Sequence, residues 1–265
     1  MTESSGASDV QVPSRSFPCA ASFLLAGLLD RAGTAADLPL VEVARTRVSV
    51  HYATHDAEAP VLCVATPTAV RLPNAVLSRL LPAPGQAVVS GGRLHAGGST
   101  WRVTRWWRPP RPSGLTPPDA HRLHDWVQEV RTAGGPDLAP TYGALQPARL
   151  VGAGPGLTPS GDDVLAGALV AAHATSDPRL PRWRAATLDA LRTQTTTAVS
   201  RGLLLHAADG WATPELAAFV TAVCRGSMST ETERLLAVGH TSGAALAAGA
   251  LHVLGTRPAV LRGAA

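Results

Sequence analysis

Two adjacent carboxylates, Asp162 and Asp163, follow a Thr-Pro-Ser-Gly stretch within LVGAGPGLTPSGDDVLAGAL (Leu150–Leu169). A carboxylate at the start of a helix can act as a general base. Glycine-rich backbone leading into a helix N-terminus can turn bare N–H groups toward an anion. Gly152, Gly154 and Gly156 supply that backbone, with Thr158, Ser160 and Gly161 as further donors. Thr158 reads as the N-cap and Pro159 as the first helical residue. Asp162 and Asp163 then lie in or just beyond the first turn, where the helix dipole favours them. Adjacent helical residues point about 100° apart. One carboxylate therefore faces a pocket, as a base or donor-orienting group, and the other binds backbone or an arginine. Spacing alone does not choose between them.

A second segment, HTSGAALAAGAL (His240–Leu251), aligns with TPSGDDVLAGAL (Thr158–Leu169) at Ser-Gly and again at Ala-Gly-Ala-Leu. It predicts a second helix start beside the first, with His240 as acid or base and Thr241, Ser242 and Gly243 as ligand donors. Thr197 and Ser200, three apart, share a helical face that can line the same pocket. Arg201 and Arg225 are the candidate cations for a leaving phosphate, and His206 is a further candidate acid or base. The plainer alternative is two well-capped helices packed through small residues.

Composition removes several chemistries. All 23 basic side chains of the 265 residues are arginine, so a Schiff-base lysine, a Walker-type phosphate lysine and a Ser-Lys dyad are excluded. No G-x-S-x-G elbow surrounds Ser160. Cys19, Cys63 and Cys224 are far apart and form no CxxC pair, which argues against a disulfide frame or a thiolate zinc site. The net charge of +4 is not gathered into a basic stripe, and no nucleic-acid partner is expected. RWWRPPRP (Arg105–Pro112) is a basic-aromatic cluster that reads as a strand end entering a proline-rich connector. FPCAASFLLAGLL resembles a signal core, but acidic Glu3 and Asp9 precede it. No apolar run is long enough to span a bilayer. A cytoplasmic protein with no membrane partner is the expectation.

The elements that must position these groups change character along the chain. Pro39–Ala53, Pro60–Val70 and Gln86–Trp107 are rich in Val and Thr and read as strands, with Gly91-Gly92 and Gly97-Gly98 as hairpin turns. Ala20–Arg31 and Asn74–Leu81 read as helices within this region. After the connector Pro109–Pro118, helical spacing recurs over Asp119–Ala133, Asp162–Ala174, Trp183–Ala208, Pro214–Cys224, Thr230–Val238 and Gly243–Leu254. The expected class is α+β: a mostly-β domain with an early helix over 1–115, then an all-helical domain over 116–265 carrying the glycine-rich anion-binding motifs.

GAGPGLTPSGDDVLAG resembles the signature of a bacterial family that includes the H-type subunit associated with oxamate carbamoyltransferase in allantoin breakdown. TTTAVSRGLLLHAADG (Thr195–Gly210) and VGHTSGAALAAGAL (Val238–Leu251) resemble its second and third blocks. Ala244-Ala245 stand where an acidic residue would match the first helix, so a symmetrical two-carboxylate site is not expected. The resemblance implies carbamoyl transfer between carbamoyl phosphate and an oxamate-like carboxylate, with partner subunits. The expected site then places small anions at two helix N-termini. Asp162, Asp163 and His240 would be catalytic, and Gly154, Gly156, Thr158, Ser160, Gly161, Thr197, Ser200, Thr241, Ser242 and Gly243 would hold substrate. No cofactor or metal is expected, and the protein would work as a homo-oligomer or with other transferase subunits. The alternatives are a non-catalytic carboxylate-binding or assembly protein and a magnesium-dependent phosphohydrolase centred on the aspartates.

Overall fold

The computed structural model describes residues 15–34, 37–132, 145–227 and 229–256. Eight strands occupy the N-terminal half: β1 (Arg15–Ser22), β2 (Leu38–Arg45), β3 (Ser49–Ala53), β4 (Val61–Ala65), β5 (Ala75–Leu77), β6 (Ala87–Ser90), β7 (Arg93–Ala96) and β8 (Ser99–Trp107). Helix α1 (Ala26–Thr34) follows β1 through a 3-10 turn. Gly91 and Gly92 (φ 54° and 71°) turn β6 into β7, and Gly97 and Gly98 (51° and 72°) turn β7 into β8. Both linkers have positive φ at both residues, as a tight hairpin of this hand requires.

The expected fold class, a mostly-β domain followed by an all-helical one, needs correction. The strands do not form an open layer: they close into a barrel in the order β1-β5-β4-β3-β2-β6-β7-β8. Closure comes from β1 lying parallel to β8, with Phe17 paired to Trp101, and antiparallel to β5. Closing the sheet removes its edges, and no local pattern announces which strands will meet. The helices also do not form an isolated unit, because one of them is seated directly on β3 and β4. Alternation along these two strands is the reason. Val50, Tyr52, Leu62 and Val64 fill the barrel, while Ser49, His51, Cys63 and Ala65 are buried on its outer side.

The helices are α2 (Ala120–Thr132), α3 (Pro147–Leu150), α4 (Ser160–Ala174), α5 (Leu180–Thr193), α6 (Ala198–Ala208), α7 (Pro214–Arg225), α8 (Ser229–Leu236) and α9 (Ser242–Gly255). Helices α4 and α9 are almost wholly buried and pack on each other more extensively than any other pair. Helix α6 packs on β3 and β4, and a Cβ at its Gly202 would lie 2.5 Å from Val61 Cγ1. The connector after β8 is held to the helices. Pro110 accepts from the Ala212 amide (3.0 Å), and Arg108 lies 4.7 Å from the Phe23 ring and 5.3 Å from the Trp211 ring.

Three element expectations are also corrected. Asn74–Leu81 contains β5, not a helix; Ala75 and Val76 are buried between β1 and β4, and tertiary pairing overrides the local pattern. The early helix begins at Ala26, because Ala20–Ser22 complete β1. The run Trp183–Ala208 divides into α5 and α6, with Thr197 capping the second through the Ser200 amide. Of the expected helix Asp119–Ala133, Ala133 lies outside the described residues.

Candidate functional site

The loop entering α4 does not place its residues as the capping pattern predicts. Pro159 occupies the N-cap position without a side-chain cap, and Ser160 opens the helix. The Thr158 hydroxyl instead meets Ser242 Oγ at 2.8 Å, joining the starts of α4 and α9. The close crossing of the two helices brings these starts together. A Cβ at Gly167 would fall on the Leu246 carbonyl oxygen, and one at Gly249 on the Val164 carbonyl oxygen. Backbone meets backbone at both points, so the tolerance for side chains is nil.

The two carboxylates have separate tasks. Asp162 Oδ1 accepts from the Gly152 amide (2.8 Å) and Oδ2 from the Thr196 hydroxyl (2.5 Å). Both oxygens are engaged in tying the α3–α4 loop to the start of α6. Asp163 is equally buried, but its Oδ2 has no hydrogen-bond partner. Burial pushes its carboxyl up to about 7, against donation from Ser242 and Thr158 and with a smaller contribution from the Asp162 charge. Asp162→Ala is expected to cost about 1–3 kcal/mol, since it strands a buried amide and a hydroxyl; urea denaturation measures it.

Asp163 lines a cavity of about 360 Å³ between the helices and the outer face of the barrel. Thr158, Asp162, Ser200 and Ser242 line it with Asp163, and Ser49, His51 and Cys63 face it from β3 and β4. The remaining wall is mostly apolar, including Val70, Leu72, Val170, Leu204, Trp211 and Leu246. No arginine is among the described residues that line it. Arg201 is elsewhere, and Arg225 lies on a separate groove with Pro214 and Glu231.

Several expected site residues are placed differently. His240 and Thr241 are exposed and do not line the cavity. Gly154 and Gly156 are exposed, with φ of 111° and 101°, and only open space surrounds Gly156. Gly161 and Gly243 are closely packed, the first against the Leu150 carbonyl and the second against the Leu235 carbonyl. Ser160 is half-buried at the helix start and lies outside the lining. Thr197 caps α6 and donates to the Leu157 carbonyl (2.7 Å), leaving Ser200 to face the cavity. His206 is buried off the cavity, and burial lowers it to about 4.

Amides expected to hold an anion are largely occupied. The Gly161 amide donates to Ala153 O (2.8 Å), and those of Asp162 and Asp163 to Pro159 O (2.9 and 3.1 Å). At α9 the Gly243 and Ala245 amides donate to Val238 O (2.9 Å) and Thr241 O (3.0 Å).

The barrel residues escaped the sequence reading. Ser49 Oγ lies 3.1 Å from His51 Nε2, and Cys63 Sγ lies 4.0 Å from the same nitrogen. Burial lowers His51 below the usual histidine range and raises Cys63 to about 12, so both are neutral near pH 7. The available signal was alternation: a strand reading S-V-H-Y places Ser and His together on one face.

Residues 150–254 match the family model described as oxamate carbamoyltransferase subunit AllH. Over this segment, which is less than half of the chain, the sequence is similar to the AllH family. The matched segment includes Asp163, Ser200 and Ser242, whereas the whole barrel, with His51, lies outside it. No solved structure matches the chain. Among the described residues no helix is long and apolar enough to cross a membrane, and no three His, Cys, Asp or Glu side chains form a metal-holding group.

Proposed function

We propose that the chain is a carbamoyltransferase subunit that handles the proton of the transfer step and works with subunits that carry positive charge. The observation behind this reading is the free Oδ2 of Asp163, buried at the cavity wall within the matched segment. In the step, the acceptor nitrogen attacks the carbamoyl carbon. The bond from that carbon to the phosphate oxygen breaks, and phosphate leaves with the electron pair. The nitrogen's proton passes to the Asp163 carboxylate and from there to phosphate. A carboxyl near pH 7 suits both halves of that exchange. Ser200, whose hydroxyl has no partner of its own, is the donor for the carbonyl oxygen as it gains charge.

The anion cradle foreseen at the helix N-termini is not the support for this reading, since most of those amides already have partners. Phosphate needs cations, and with no arginine among the described lining residues these are assigned to another subunit of the complex. The same absence disfavours a sensor for a small carboxylate. The double engagement of Asp162 disfavours a magnesium hydrolase built on both aspartates.

The test is phosphate release from carbamoyl phosphate, with the chain alone and mixed with co-expressed transferase subunits, without acceptor, with oxamate and with a longer neutral primary amide. Acceptor-dependent release from the mixture that disappears when this chain is omitted is expected. Equal release without it removes the reading.

A further inference from the structure

Three buried polar atoms on three different elements lack hydrogen-bond partners and belong to residues lining this one cavity. They are Asp163 Oδ2 on α4, Ser200 Oγ on α6 and His51 Nδ1 on β3. Their residues are 5%, 1% and 5% exposed. An unpaired polar atom at such depth is costly unless a ligand completes it. The three differ in what they offer: a carboxyl oxygen accepts when ionised, a hydroxyl donates or accepts, and a neutral imidazole nitrogen does one or the other by tautomer. In the tautomer in which Nε2 accepts from Ser49, Nδ1 carries the proton and is a donor.

That donor and acceptor set matches a primary carboxamide, whose two N–H groups need acceptors and whose carbonyl needs donors. The rest of the wall specifies the rest of the molecule. A volume of about 360 Å³ lies in the range of small-molecule sites, and a molecule as small as oxamate leaves most of it empty. A carboxylate placed among Val70, Leu72, Leu204 and Leu246 would lose its hydration, with no cationic side chain among the described lining residues to replace it. We infer that the cavity takes a neutral primary amide with an apolar body, its head held by Asp163, Ser200 and His51 and its body against the leucine and valine wall. This rests on reading the cavity as the substrate site, and it makes the barrel part of that site through His51.

Calorimetric titration of the full chain with the straight-chain primary amides from acetamide to hexanamide, and with hexanoate and oxamate, tests it. Affinity is expected to rise roughly three- to fourfold per added methylene, with hexanamide binding at least about tenfold more tightly than either hexanoate or oxamate. Ser200→Ala is expected to weaken hexanamide roughly fivefold without lowering the melting temperature of the free protein, since that hydroxyl has no internal partner to lose. His51→Leu is expected to weaken it similarly. A flat amide series, or oxamate binding more tightly than hexanamide, overturns the inference. Failure of the amides alongside acceptor-dependent phosphate release overturns the inference alone; amide binding without any transfer overturns the transferase reading alone.

Discussion

Asparagine in place of Asp163 is expected to slow carbamoyl transfer by about 10²–10⁴-fold while making the protein more stable at pH 8. The two effects share one cause. Burial raises the folded carboxyl to about 7 from an ordinary 3.8, so between those values the folded chain holds a proton that the unfolded chain releases. By linkage that contribution is present at acid pH, declines as pH rises through about 7, and is gone above it. The gap corresponds to at most roughly 4 kcal/mol. Asparagine keeps the shape without the charge, so a gain of about 1–3 kcal/mol at pH 8 is expected, together with a flatter stability profile between pH 5 and 8. Urea denaturation of both proteins at pH 5, 7 and 8.5 measures this. Parallel profiles would show that Asp163 ionises as an ordinary carboxylate and would remove the burial argument. An unchanged turnover would remove it as the base.

Leucine at Gly249 is expected to prevent folding, and alanine there to cost about 3 kcal/mol or more. A Cβ at this position falls on the Val164 carbonyl oxygen, and one at Gly167 falls on that of Leu246. The contact is reciprocal and consists of backbone, so no rotamer change relieves it. The helices must separate, which also breaks the Thr158–Ser242 contact at the cavity. Gly156 is the control. It faces open space, and alanine there meets only the strain of a φ of 101°, expected at about 1 kcal/mol. Thermal melts of Gly249→Ala, Gly167→Ala and Gly156→Ala order the three. Equal small losses would mean that the crossing is looser than the packing implies.

The glycine repeats were legible because they are local. Ala-Gly-Ala-Leu on two helices announced close packing, and the Gly-Gly pairs announced the two turns. The separation of tasks between Asp162 and Asp163 was legible as a necessity of helix geometry, but not its direction. Direction depends on Gly152 and Thr196, which reach Asp162 from other parts of the chain. Asn74–Leu81 misled for a related reason: its short apolar run takes the conformation of the strands beside it. His51 went unnoticed because its importance arises from a cavity wall supplied by helices more than a hundred residues further on.

Residue order by itself determined where helices and strands begin to be favoured, which chemistries the missing lysine forbids, and that two carboxylates one residue apart must diverge. These follow from bond geometry and side-chain type over a few neighbouring positions. Tertiary structure alone decided the closure of the barrel, the engagement of the helix-start amides by nearby carbonyls, and the meeting of Asp163, Ser200 and His51 around one mostly apolar space. Those outcomes depend on which distant surfaces exclude water from one another, and that free energy belongs to the assembled contact and to no segment within it.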